Sequence, residues 1–197
     1  MTPREAVHIA RLVYSAPPLV GVEETAGRAV LYPGGALAFP GSNNFACWLA
    51  DLDALAISVP GFGRLHAGFW EAWLSIRDPI LKMDGITATI GHSEGAALAL
   101  LAAANLAAVG KAPQAVFAFE PPRISTDGEI SALLAAHKVD VRLYRNGFDV
   151  VPIVPRLLES WRHPAPLIQI GKPAFPFPNV DDHLIDNVVR AIEQMPA

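Results

Sequence analysis

Residues 87–106 read TATIGHSEGAALALLAAANL, and this stretch restricts the fold more than any other in the chain. A β-branched segment suited to a buried strand enters a Gly-x-Ser-x-Gly turn and passes at once into a strong helix pattern stopped by Gly110. So abrupt a turn needs small residues at Gly91 and Gly95, where side chains would collide with strand and helix. Ser93 at its centre has two readings: a nucleophile on a strained turn, or a plain N-cap of the following helix. With 15 glycines in 197 residues, chance supplies the pattern about 0.05 times. A hydroxyl in this place projects from the carboxyl edge of a sheet, where free helix amides favour negative charge. The Glu94 backbone N–H is then one oxyanion donor, and the Glu94 carboxylate, which would oppose an oxyanion, is expected to be exposed.

The rest of the chain alternates in the same way. Strand patterns cover residues 18–24, 28–33, 34–41, 54–61, 86–91, 114–120, 139–147 and 166–171. Helix patterns cover an amino-terminal segment ending before Pro17, then residues 69–83, 93–109, 127–137 and 183–194. Strands separated by helices of this length predict an α/β fold with a mostly parallel sheet, helices on both faces and the first strands antiparallel at one edge. A length of 197 residues suits one compact domain, residues 1–197, burying about 70 % of its unfolded surface. Cys47 is the single cysteine, so no internal disulfide is expected. A net charge of −4 with scattered basic residues predicts neither nucleic acid nor an anionic membrane surface as partner. No apolar run is long enough to span a bilayer, and the amino terminus lacks the apolar core of a secretory leader, so a cytoplasmic location is expected by default. Histidine, cysteine and carboxylate show no metal-ligand spacing; no metal and no cofactor is expected.

Six histidines compete for the role of base. His92 adjoins Ser93 but is expected to pack on the opposite side of the turn; His8 and His137 fall on surface helix positions, and His66 and His163 read as structural. His183 follows a loop stiffened by three prolines and opens the last helix pattern. Asp149, in NGFDVVPIVP, lies beyond the strand at 139–147, on the same sheet edge as Ser93; its plainer reading is a turn cap. Glu120 also ends a strand and stands as the reserve acid, while Asp181 and Asp182 read as caps of the last helix. The order Ser93, Asp149, His183 is that of an α/β-hydrolase triad.

Several separated segments together resemble the class 3 lipases, the family typified by secreted fungal triacylglycerol lipases. GHSEGAALALLAA resembles the family's elbow, with Glu94 where leucine is usual. LAFPGSNNFACWLADL resembles its oxyanion segment, with Pro40 in place of arginine. LHAGFWEAW, EPPRIS, FDVVPIVP and DDHLIDN resemble further family segments in family order, with Glu120 standing where the family usually has glycine. The resemblance implies an α/β-hydrolase fold with Ser93 as nucleophile, Asp149 as acid and His183 as base. It also implies oxyanion donors at Ser42 and Glu94, a structural role for His163, and a lid over residues 43–52 whose apolar face would carry Phe45, Trp48 and Leu49. Ordinary packing is the alternative for those three.

The expected activity is therefore hydrolysis of a small-molecule or lipid carboxylic ester, with transient contact at a lipid interface. Acyl transfer by the same triad, or an inert hydrolase-like binding scaffold, are the competing readings. Short loops predict an open site favouring small or soluble esters. Oligomeric state stays open.

Overall fold

Period-two burial in the strands assigns each side chain to one of two layers. Leu37, Val116, Ala118 and Leu143 join one apolar cluster, while their neighbours Ala38, Phe117, Phe119 and Tyr144 join the other. The structure is a computed structural model describing residues 1–23, 25, 27–42, 55–155, 160–173 and 179–196. Its strands are β1 (Val20–Gly21), β2 (Arg28–Tyr32), β3 (Ala36–Phe39), β4 (Ala56–Val59), β5 (Gly63–His66), β6 (Ala88–His92), β7 (Ala115–Phe119), β8 (Asp140–Asn146) and β9 (Leu167–Ile170). Seven of these form one sheet in the order β1-β2-β3-β6-β7-β8-β9. The β1–β2–β3 edge is antiparallel, and β3, β6, β7, β8 and β9 pair parallel, as the alternating pattern predicts.

Helices cover both faces. Against one lie α2 (Ala67–Leu81), α3 (Glu94–Ala108) and α4 (Glu129–Ala136); against the other lie α1 (Pro3–Leu12) and α5 (Ile185–Glu193). Every residue of α3 from Glu94 to Ala107 is buried. Alanine and leucine all round let it sit inside the molecule with no solvated face. The first helix starts on a capping box: the Thr2 hydroxyl accepts from the Glu5 N–H, the Glu5 carboxylate accepts from the Thr2 N–H, and Pro3 occupies the first turn.

Two elements differ from the sequence expectation. The strand at 54–61 does not enter the main sheet; its core, β4, pairs antiparallel with β5, a strand too short and polar to show a period of its own. The last helix begins at Ile185, because Asp181–His183 forms a separate 3-10 turn. That turn aims His183 at the sheet edge instead of along the helix.

Candidate functional site

Register brings the site together. Phe39 pairs with Gly91, His92 with Phe119, Phe119 with Tyr144 and Asn146 with Ile170, so the carboxyl ends of β3, β6, β7 and β8 share one edge. The chain leaves that edge toward Ser42, Ser93, Glu120 and Asp149. Ser93 sits at φ 58°, ψ −129°, a conformation that L-residues adopt at a cost of about 1–3 kcal/mol. Its backbone is held by an N–H bond to the Phe119 carbonyl at 2.9 Å and by the Ala96 N–H on its own carbonyl. No side chain fits at Gly91 or Gly95. A Cβ at 91 would lie 2.1 Å from the Gly95 oxygen, and one at 95 would lie 2.2 Å from the Phe39 oxygen. The hydroxyl makes no cap bond to α3, so it is not an N-cap and is available for other chemistry.

That hydroxyl meets His183. Ser93 Oγ lies 2.8 Å from His183 Nε2, and His183 Nδ1 lies 2.6 Å from Asp149 Oδ2. All three residues are buried, at 3 %, 3 % and 0 % exposure. The Asp149 carboxylate only accepts, so Nδ1 carries the hydrogen and bare Nε2 accepts from the Ser93 O–H. Asp149 Oδ1 also accepts from the Val151 N–H at 3.0 Å, so the same carboxylate caps its own turn and meets His183. Burial is the largest single influence and opposes its charge, but the hydrogen bonds it accepts, that of His183 foremost, together with the His183 charge outweigh burial and hold its carboxyl below the ordinary value. Sequence reasoning placed these three residues correctly on one edge; the contact itself is a tertiary fact.

A second layer fixes the loops that carry them. Asp182, expected to cap the last helix, instead accepts from the Phe148 N–H at 2.9 Å and from Asn179 Nδ2 at 2.8 Å. Asn146 Nδ2 donates to the Asp182 carbonyl at 2.9 Å. The turn holding Asp149 is thereby tied to the turn holding His183. No periodicity marks Asn146 or Asn179 in the sequence, because both act across loops.

His92, expected to pack away from the nucleophile, lies with its ring 4.7 Å from that of His183. Its Nε2 faces the His183 carbonyl at 2.8 Å, which can only accept, so Nε2 bears the hydrogen. Nδ1 is then bare and accepts from the Tyr14 hydroxyl at 2.7 Å, while the Tyr14 oxygen accepts from the Gly41 N–H. Burial, reinforced by the His183 charge, pushes His92 down to about 3, so it stays neutral. Burial likewise raises the Tyr14 phenol. One chain of hydrogen bonds thus links the segment before Ser42, through Tyr14 and His92, to the backbone of His183. Tyr14 had no sequence signal; its partner stands 78 positions away.

The structural readings of two other histidines agree with their surroundings. His163 Nε2 donates to the Pro152 carbonyl at 2.8 Å, with burial lowering it to about 4. His66 stacks on Phe69 with ring centroids 4.2 Å apart.

Gly41 lies against the elbow, for a Cβ there would approach the Ser93 Cβ at 3.0 Å and the His92 oxygen at 2.9 Å. Half-buried Ser42 follows it directly. Phe45, Trp48 and Leu49, with the expected lid over 43–52, lie outside the described residues. Glu94 is corrected: its side chain is 7 % exposed, not solvated. The Arg28 cation, itself buried, and the Glu94 anion both act on the Tyr14 hydroxyl, so the carboxylate shares its surroundings with an opposite charge. Among the described residues one set of three, Glu120, Asp149 and His183, lies close enough to share an ion, with ligand atoms within 4.8 Å of one another. Both ring nitrogens of His183 there are engaged by hydrogen bonds.

Known proteins share this fold. The fold is that of fungal lipases, the α/β-hydrolase fold: a Rhizomucor miehei lipase–propeptide complex superposes with a TM-score of 0.61 at 21 % identity, covering 73 % of this chain and 51 % of the other. A crystal structure of MDLA from Penicillium cyclopium gives 0.62 at 26 % identity, covering 81 % and 63 %. In sequence, the secreted mono- and diacylglycerol lipases A of Penicillium cyclopium and Penicillium camembertii are each 32 % identical over 149 residues, 70 % of this chain. The chain spans about half, 48 %, of the length of these relatives. Because both are secreted proteins, they point to an extracellular location and overturn the cytoplasmic expectation. Among the described residues no helix is long and apolar enough to cross a membrane. Residues 36–159, from β3 through the elbow and past Asp149, match the family described as Lipase (class 3), and the chain belongs to that family.

Proposed function

We propose that these 197 residues act as one serine-hydrolase domain that cleaves carboxylic esters of lipids, outside the cell. The carrying observation is the buried relay from Ser93 through His183 to Asp149, built on a strained elbow. Ser93 Oγ attacks the ester carbonyl as its proton passes to His183 Nε2. Asp149 holds the Nδ1 hydrogen and stabilises the imidazolium that forms. The oxyanion develops beside the first amide of α3, at Glu94, and beside the segment carrying Ser42; the backbone N–H groups of Glu94 and Ser42 are its donors. His183 returns the proton to the leaving alcohol. Water, deprotonated at Nε2, then attacks the acyl-enzyme; the acid leaves and the Ser93 hydroxyl is restored.

Both fungal relatives act, by their names, on mono- and diacylglycerols, and the same lipid-ester class is proposed here. The intact relay weighs against an inert scaffold. A fluorophosphonate probe tests the reading: wild-type protein is expected to take up one label, lost in Ser93→Ala together with ester hydrolysis. A wild type that stays unlabelled, with no hydrolysis of glycerol esters, refutes it.

A further inference from the structure

Glu120 occupies a position the hydrolysis mechanism does not use. It ends β7 at φ 51°, the left-handed region, and is 0 % exposed. This is the position where the class 3 pattern usually has glycine, so a side chain has been admitted at a backbone conformation that disfavours one. One of its oxygens, Oε1, accepts from the Asn146 N–H at 2.6 Å. The other, Oε2, is buried with no N–H or O–H donor within reach. Beside this side chain lies another carboxyl: Glu120 and Asp149 are within hydrogen-bonding reach, and an oxygen of each and a ring nitrogen of His183 all lie within 4.8 Å of one another.

Two buried carboxyl groups in contact cannot both ionise without a large repulsion, so one proton sits between them. The donors decide which group keeps it. Asp149 receives hydrogens from His183 Nδ1 at 2.6 Å and from the Val151 N–H at 3.0 Å. Glu120 receives one, from Asn146. The better-solvated carboxylate, Asp149, takes the charge and Glu120 takes the proton. The remaining charges nearby do not reverse this. Arg145 is the cation acting on Glu120, and its guanidinium is committed to the Asp149 carbonyl at 3.2 and 3.0 Å; His92 beyond His183 is neutral.

We propose that Glu120 is a positioning residue that stays protonated and donates a hydrogen bond to Asp149, making the acid of this site a carboxyl pair with one negative charge. Protonated Glu120 fills the side of Asp149 that would otherwise lack a donor and holds it square to His183. Burial first, and the Asp149 charge second, push the Glu120 carboxyl well above its ordinary range, in line with this assignment. Ionisation of Glu120 at higher pH sets two anions side by side and loosens the pair.

The inference rests on the hydrolase reading, and the test separates the two. Glu120→Gln keeps an acceptor for Asn146 and a neutral N–H donor for Asp149; Glu120→Leu keeps neither. The Gln variant is expected to retain wild-type kcat within about threefold. The Leu variant is expected to lose about 10- to 100-fold in kcat at unchanged KM, the rate equivalent of one hydrogen bond to a charged group. Should the Leu variant fail to fold, the Gln variant alone decides through its Tm. Relative to wild type, its Tm is expected to be equal near pH 4 and to rise above it as pH increases, because only wild type must hold a proton on Glu120. A Gln variant as inactive as the Leu variant, or a Tm difference independent of pH, overturns the inference. Wild type unlabelled by fluorophosphonate instead overturns the hydrolase reading itself.

Discussion

Tyr14→Phe isolates the bridge that ties the Gly41–Ser42 segment to His183. The change removes one oxygen and nothing else, but two buried groups depend on it: His92 Nδ1, which accepts its hydrogen at 2.7 Å, and the Gly41 N–H, which donates to it. An orphaned buried donor or acceptor costs about 1–3 kcal/mol, which sums to about 2–6 for the pair, and entry of water to the phenol pocket brings the expectation to about 2–4 kcal/mol. For a domain of this size that is about 4–16 °C in Tm. Activity should fall as well, because the Gly41–Ser42 segment loses its anchor and the His92 ring that holds the His183 carbonyl loses its own. A tenfold drop in kcat, about 1.4 kcal/mol, is the expected scale, below the loss of a whole oxyanion donor. The assay is urea unfolding and ester hydrolysis on Tyr14→Phe, His92→Phe and the double variant. Because both single changes break the same bond, their stability costs should overlap by more than about 0.5 kcal/mol in the double variant. Additive costs, or a Phe variant as stable as wild type, would refute the bridge.

Further outcomes follow from the same contacts. His92 and His163 stay neutral when folded, with burial the leading cause, so below pH 6.5 each takes up a proton on unfolding, while Glu120 releases one above its ordinary value. Two gained less one released leaves one, so stability should fall with acid at about 1.4 kcal/mol per pH unit below pH 6, and fall at a similar rate as pH rises above 7, where Glu120 alone acts, until the folded Glu120 itself ionises. A flat profile from pH 4.5 to 6.5 in urea unfolding would contradict these protonation states. Gly41→Ala drives a Cβ to 2.4 Å from the Tyr14 oxygen and 3.0 Å from the Ser93 Cβ. A loss of about 1–3 kcal/mol in stability, with a fall in kcat, is expected from such overpacking, and unchanged kcat would show that this segment does not serve the reaction. A nitrophenyl ester series should favour butyrate over long chains; strong interfacial activation on long chains would count against an open site.

Much of this molecule was written locally. The short β-branched and aromatic run AVFAF, bounded by polar residues, and the long apolar stretch 96–104 favour strand and helix from their neighbours in sequence alone, since run length and side-chain shape are local properties. The two elbow glycines and the order Ser93, Asp149, His183 were legible for the same reason. Burial of Glu94 was not, because whether an acid at a helix start meets water or a cation depends on β2 bringing Arg28 into the same neighbourhood. Nor could sequence show that Tyr14 would lean on His92, that Asp182 would serve the loop at 148 instead of the last helix, or that Glu120 would lie beside Asp149. Each of these contacts spans between 29 and 78 positions and exists only once parallel register has aligned the strand ends. Local pattern selected the elements and the three side chains of the Ser93–His183–Asp149 relay. Tertiary packing decided which polar groups would lose water together, and it is there that proton positions, and hence the chemistry of the site, are set.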